Sequence, residues 1–318
     1  MCNLKKFIWP LIGILAMLIS IRILYMKLSA ISFNDVLERL SNLSIHHWLL
    51  ACFCSFIAYS ALAGYDRIAL QHLGRKISWT FIAICSFTTY ALSHNIGASV
   101  FSGAVVRYRA YTIKGLSGTE IAILVGFCSL TFAIGTILLS GIVLILQPEI
   151  ITLIHNGFPK WLGVIIGLIL LTCIALYILG SWLQLKPLRI NKKTQLSYPQ
   201  LKIVIRQLII SPLEILGAAG IIYAVLPNDT DVNFISVLGV FLASFSITLL
   251  SNAPAGGLGI LEALFITGMP NTDPTDVIAA LIVFRILYLI IPLIISLFFI
   301  AIFETQQYLK RTQKTRSE

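Results

Sequence analysis

Six stretches of this chain, at about residues 7–26, 48–66, 119–146, 161–183, 201–226 and 276–303, are apolar over the length a helix needs to cross a bilayer. The hydrocarbon core is about 30 Å thick and a helix rises about 1.5 Å per residue, so roughly 20 apolar residues span it. None of the runs alternates with period two, which points to a helical bundle and away from a barrel. Composition agrees. The 318 residues are 58% hydrophobic and 11% charged, with a mean hydropathy of +0.93, whereas soluble domains carry about a quarter charged residues. The expected fold is an all-α integral membrane protein, a single membrane domain over 1–318 that closes in a basic cytoplasmic tail at 306–318. Pro148, Pro187 and Pro227 follow spans and Pro199 opens one, as helix-ending and helix-starting prolines do. The run after Lys5 and Lys6 lacks a small-x-small cleavage site and reads as an uncleaved first span. Between the first two spans, Phe33, Val36, Leu37, Leu40 and Leu43 form one helical stripe, and Ser32 with Asp35 approximates a capping box. That pattern predicts a helix lying in the membrane interface.

Two further apolar stretches, 79–106 and 234–270, are broken by polar and glycine-rich sequence. Treating both as re-entrant hairpins, with the N-terminus inside, places seventeen lysines and arginines on the cytoplasmic side and leaves Lys27, Arg39 and Lys160 outside. Letting 79–96 cross fully would instead put the Lys186–Lys202 cluster outside, against the positive-inside bias. The broken stretches also resemble each other. "SFTTYALSH" from Ser86 and "SFSITLLSN" from Ser244 share S-F-x4-L-S at an offset of 158 residues, about half the chain. With opposite entry faces this predicts an inverted repeat, half one at about 1–147 and half two at about 160–305. The expected architecture is therefore about six full spans plus two re-entrant helical hairpins.

Broken helices at membrane depth leave backbone groups that lipid cannot satisfy, so they persist where protein or a wet cavity supplies partners. In the second break, Asn252, Pro254, Gly256, Gly257 and Gly259 precede a carboxylate, Glu262. In the first, His94 and Asn95 sit at the tip, and "RYRAYTIKG" follows. Arg107 and Arg109, interleaved with Tyr108 and Tyr111 and followed by Lys114, read as an interfacial cluster. It suits either capture of an anionic lipid phosphate or plain anchoring. Glu214 and Arg285 lie deep in spans, where a charge costs about 2.5–3.5 kcal/mol and marks a functional candidate. Arg285 is expected to pair with Glu262 or Glu214, as structural glue or as a gate. Asp66 and Arg206 lie nearer span ends and read as snorkelling side chains. Gly163 and Gly167 form a GxxxG that ordinary helix packing explains. The net charge of +10 falls in short loops, which reads as topology and headgroup attraction; no nucleic-acid partner is expected. The six cysteines lie mostly inside apolar runs without zinc-site spacing. No metal, cofactor, nucleotide site or catalytic constellation is expected, so transport would run downhill or on an ion gradient.

"SHNIGASVFSGAVVRYRAYTIKGLSGTEIAIL" and "SNAPAGGLGILEALF" resemble the two hallmark segments of the lysylphosphatidylglycerol synthase/flippase transmembrane family. The resemblance covers roughly 10–305. It implies a bacterial inner-membrane fold with inverted repeats and re-entrant helices, linked to moving lipids between leaflets. Carried over by motif, the site positions are Gly103, Arg107, Asn252, Pro254, Gly256, Gly257, Gly259 and Glu262. Bifunctional members carry a large soluble aminoacyl-transferase domain, whereas this sequence closes on "KRTQKTRSE"; lipid aminoacylation by this chain is not expected. The implied protein is a non-enzymatic flippase for an anionic or aminoacylated phospholipid, with both termini cytoplasmic. Its partners are membrane phospholipids, with a homodimer or a lipid-modifying enzyme left open. A membrane-embedded scaffold and a small-anion transporter are the competing readings.

Overall fold

The computed structural model describes residues 33–96, 99–153, 157–184, 188–191, 194–196, 199–227, 232–250 and 259–317. The expected first span at 7–26 lies outside them, as do Asn252, Pro254, Gly256 and Gly257. Eleven α-helices are described: α1 (Phe33–Ser41), α2 (Ile45–His72), α3 (Trp79–Ile96), α4 (Ser99–Thr112), α5 (Gly118–Leu146), α6 (Lys160–Trp182), α7 (Leu201–Tyr223), α8 (Phe234–Leu250), α9 (Ile260–Gly268), α10 (Pro274–Arg285) and α11 (Ile291–Ser317). A π-helical turn, Ile286–Ile290, joins the last two, and a 3-10 turn, Pro148–Leu153, follows α5. Five helical segments are long and apolar enough to cross a membrane: α2, α5, α6, α7 and the continuous Pro274–Phe303. A two-stranded antiparallel ribbon, Leu188–Asn191 with Thr194–Leu196, decorates the loop after α6.

The chemistry of the chain accounts for where these helices begin. Ser117 opens α5 with a capping box: its hydroxyl accepts from the Glu120 amide, and the Glu120 carboxylate accepts from the Ser117 amide at 2.8 Å. Asp273 opens α10, accepting from the Thr275 amide at 2.8 Å, with Pro274 in the first turn. Gly115, with φ of +79°, turns the chain between α4 and α5. Small residues then set the helix spacing. A Cβ on Gly217 of α7 would lie 2.7 Å from the Cys54 carbonyl oxygen of α2. Gly163 meets Pro148 and Gly167 meets Gly141, so the GxxxG is consumed by packing within the molecule.

The two broken stretches are helical hairpins. Phe81 near the start of α3 meets Tyr111 near the end of α4, with ring centroids 5.8 Å apart. Gly268, the last residue of α9, packs on Val240 near the start of α8. The first hairpin therefore opens at the end of the bundle where Arg75 pairs with Glu120 at 2.7 Å. The second opens at the other end, where Gln147 bonds Asn233 and Ser236. Helix α5, from Gly118 to Leu146, runs between these two ends. We call them the basic end and the acidic end, after Arg75, Lys76 and Lys114 at one and Glu149, Asp273 and Asp276 at the other. With 14 residues α4 is about 21 Å long, and with 9 residues α9 is about 14 Å, both short of a bilayer core.

The halves follow one another closely. Helices α2, α3, α4 and α5 start at Ile45, Trp79, Ser99 and Gly118; α7, α8, α9 and α10 start at Leu201, Phe234, Ile260 and Pro274. Corresponding starts lie 156, 155, 161 and 156 residues apart. Arg206, early in α7, bonds Gln71, late in α2, so those equivalent helices are antiparallel neighbours. Outside the repeat, α1 lies at the acidic end, where Arg39 reaches Asp273 and Asp276 at 3.5 and 3.2 Å. Val36 and Leu40 pack inward, while Leu37 is exposed, so the apolar stripe of α1 is narrower than its spacing predicts.

Candidate functional site

Each central helix carries a polar stripe on its inward face. On α2 it is Ser55, Tyr59 and Asp66; on α3 it is Ser86, Thr89, Tyr90, Ser93 and His94; on α7 it is Gln207, Ser211 and Glu214. Spacings of three, four and seven residues put each set on one helical face. In water such a face would point outward. Here the lipid takes the apolar faces and the polar stripes meet in the interior.

Near the basic end the stripes join in a buried ion pair. Asp66 is fully buried and Arg107 is 4% exposed. The Arg107 guanidinium donates to both Asp66 carboxylate oxygens, at 2.6 and 3.2 Å. Tyr111 donates to Asp66 at 3.0 Å, Cys128 contacts it at 3.4 Å, and the guanidinium lies over the Tyr90 ring at 4.8 Å. Three sequence-based expectations change here. Asp66 does not snorkel, and Arg107 and Tyr111 are buried in the bundle rather than exposed on its surface. The reason is the hairpin: packing α4 against α2 and α3 turns these residues inward, while Tyr108 and Arg109 stay exposed on the other face. Gly103 allows this close packing, since a Cβ there would meet the Ser93 hydroxyl at 2.6 Å.

From Tyr90 the polar interior continues towards mid-depth. Tyr90 meets Tyr65 and His94 at 6.4 and 5.9 Å between ring centroids. His94 stacks on Tyr288, 5.1 Å apart and 20° from parallel. Tyr288 donates to one oxygen of Glu214 at 2.5 Å. Glu214 is buried, and its second oxygen has no hydrogen-bond partner among the described residues. The same holds for His94 Nδ1 and for the hydroxyls of Ser86, Thr89, Ser211 and Ser244. Ser86 and Ser244 occupy equivalent positions in the two repeat motifs, and both are fully buried.

The second hairpin has its own ion pair. Arg285 donates to Glu262 Oε1 through Nε at 2.8 Å and a terminal nitrogen at 2.5 Å. Glu262 Oε2 accepts from the Gly259 amide at 2.8 Å, capping α9, and Gly259 takes φ of +85° to permit it. Arg285 thus pairs with Glu262 and not with Glu214. Asn95 at the first hairpin tip donates to the carbonyls of Ala91 and Leu289, at 2.8 and 3.1 Å. Tyr59, Tyr65, Tyr90 and Tyr288 were not singled out by sequence reasoning. The signal that reveals them is the inward stripe spacing, a polar face on a helix otherwise suited to lipid.

Opposed helical hairpins inside a multi-pass bundle, packed around buried ionisable side chains, define a class of polytopic membrane protein with a polar interior. Within that class the chain belongs to the family described as Lysylphosphatidylglycerol synthase TM region, which residues 13–296 match. It is 30% identical over 265 residues to the Synechocystis protein slr0712, covering 82% of this chain and 81% of that one. It is 31% identical over 254 residues to the inner membrane protein YbhN of Escherichia coli, covering 79% and 78%. It is 25% identical over 301 residues to the phosphatidylglycerol lysyltransferase of Staphylococcus haemolyticus, covering 93% of this chain and 34% of that longer protein.

Proposed function

We propose that this protein is a non-enzymatic flippase that carries an anionic or aminoacylated phospholipid, or a related lipid-linked headgroup, between the leaflets of a bacterial inner membrane. The observation that carries this reading is the set of buried polar groups without hydrogen-bond partners among the described residues: Glu214, His94, Ser86, Thr89, Ser211 and Ser244. In hydrocarbon an unpartnered polar group costs several kcal/mol. A bundle that keeps six of them between two hairpins is built to meet a polar guest there. The named relatives support the setting, one being an inner membrane protein and another a lysyltransferase acting on phosphatidylglycerol by its name.

In this reading the two hairpins are re-entrant, each entering and leaving by one face, with the basic end and both termini in the cytoplasm. Exposed Arg109 and Lys114, beside Tyr108, attract the headgroup at the mouth of the first hairpin. The phosphate then competes with Asp66 for the Arg107 guanidinium, whose planar fork suits either partner. Tyr288, His94 and Glu214 receive the polar head at mid-depth, while the acyl chains stay in lipid. The Glu262–Arg285 pair holds the tip of the second hairpin beside the path.

The test is reconstitution into liposomes carrying labelled phospholipids in one leaflet. Wild-type protein is expected to accelerate leaflet exchange, and Glu214→Gln, which keeps the shape and removes the charge, to abolish most of it. Equal exchange with and without protein would refute the reading. Mass spectrometry of lipids retained by the purified protein then identifies the cargo. Counterflow of a water-soluble anion in place of lipid would favour a solute transporter.

A further inference from the structure

The π turn at Ile286–Ile290 has a chemical cause and an unusual set of partners. Ile291 donates its amide to Ile286, one residue further than an α-helix allows. Pro292, next in the chain, has no amide hydrogen, so the carbonyl of Tyr288, four residues before it, loses its helical donor, and the shift of the Ile291 amide to Ile286 takes the donor from Leu287. Three side chains donate to this stretch, one carbonyl each. Ser55 donates to Leu287 at 2.9 Å, Tyr59 to Tyr288 at 2.9 Å and Asn95 to Leu289 at 3.1 Å. Ser55 and Tyr59 belong to α2, and Asn95 is the tip of the first hairpin. Arg285, the residue immediately before the turn, holds Glu262 at the tip of the second hairpin.

We infer that this turn is a mechanical junction between the two hairpins, and that Asn95 is the positioning residue that couples the first tip to it. In a straight α-helix each carbonyl already accepts from its own helix, so a side-chain donor, as from Tyr65 to Ser211, only adds to an existing bond, whereas beside Pro292 it replaces a lost one. The interrupted turn presents three side-chain-bonded carbonyls in succession, so a shift of either tip is felt at the same five residues. Hydrogen bonds to such carbonyls can also be exchanged one at a time, and π turns are frequent at functional sites and at helix kinks. Rocking one hairpin would displace Asn95 or Arg285, re-form the turn and bias the other hairpin. The purpose of this coupling, alternating access, rests on the transport reading; the coupling itself does not.

Hydrogen exchange of the purified full chain, read by mass spectrometry without any cargo, separates the two. Asn95→Leu removes the donor while keeping the branched side-chain shape. It is expected to speed exchange about threefold in α9, on the opposite hairpin, as well as at 90–96; an interhelical hydrogen bond in a membrane protein is worth about that factor. Glu262→Gln is expected to act reciprocally, speeding exchange at 90–96, because coupling between two sites works equally in both directions. Asn95→Gln, which keeps the amide donor, should restore most of the protection. Pro292→Ala, which returns an amide to compete for the carbonyls and removes neither tip's own side-chain partner, should loosen both tips. In every case α5 and α6 should exchange as in wild type. Effects confined to the mutated hairpin, or a uniform rise that includes α5 and α6, would overturn the inference whether or not lipid moves.

Discussion

Asp66 and Arg107 illustrate how one side chain decides the state of another inside a membrane protein. Alone, either charge would be expensive at this depth; together they bond twice and gain Tyr111 as a third partner. Removing one member leaves the other buried and unpaired. Asp66→Ala or Arg107→Ala is therefore expected to lower stability by about 3 kcal/mol. The double variant should lose clearly less than the two single losses added, because the second removal deletes a charge already orphaned. Thermal unfolding in detergent measures the cycle. Asp273 gives a pH-dependent counterpart at the acidic end. The Thr275 amide, foremost, and the nearby Arg39 hold its carboxyl below the ordinary range near 3.9. A depressed carboxyl contributes above its unfolded value, and the contribution is lost as pH falls through the folded one. Acidification below about pH 4 should thus free α1 from α10, seen as faster amide exchange at 34–41 while α5 is unchanged.

Between helices, the close contacts depend on absent side chains. At Gly217 an added Cβ would lie 2.7 Å from the Cys54 carbonyl and 2.9 Å from Ala58, so α2 and α7 must separate to admit it. At Gly115 nothing lies within 4 Å, but φ is +79°. Gly217→Ala is expected to cost more, as overpacking typically does at about 1–3 kcal/mol. Gly115→Ala should cost roughly 1 kcal/mol from backbone strain alone. Relative unfolding temperatures of the two variants decide this ordering. Ser117→Ala, which removes half of the α5 capping box, should fall near 1 kcal/mol as well.

For the molecule as a whole, the question is how the bundle faces the two compartments. The basic and acidic ends are distinguished by charge, and in the proposed topology the basic end faces the cytoplasm, as the positive-inside bias favours. A cysteine at Thr112, at the mouth of the first hairpin, should react with an impermeant thiol reagent from the cytoplasmic side alone. A cysteine at Thr267, exposed near the end of α9, should react from the opposite side alone. The same side for both would contradict hairpins that open at opposite ends.

The elements were legible in the sequence because lipid imposes a simple rule on it. A helix that crosses hydrocarbon needs an uninterrupted apolar run, so α2, α5, α6, α7 and α10–α11 stand out by length. The breaks between Ser86 and Gly103 and around Gly259 mark the hairpins. The Glu262–Arg285 pair was also within reach, because intramembrane charges have few places to go. The partners of Arg107 were not, since they depend on which face of α4 turns inward when α3 and α4 fold back together. The π turn escaped notice for a related reason. Pro292 announces lost hydrogen bonds, but Ser55, Tyr59 and Asn95, which donate to the turn, lie more than 190 residues away in the chain.

Sequence alone thus determined the solvent, the order of the described apolar elements and the places where they break, and it led to the expectation of a two-fold repetition. These follow from local composition and from the thickness of a bilayer. Tertiary structure alone decided which polar side chains meet, turning Arg107 from a presumed surface cation into half of a buried pair and leaving one oxygen of Glu214 without a partner among the described residues. The physical reason is that an apolar run states only that a helix enters lipid, whereas the partner of a buried polar group is set by rotation and depth, which many distant contacts fix together.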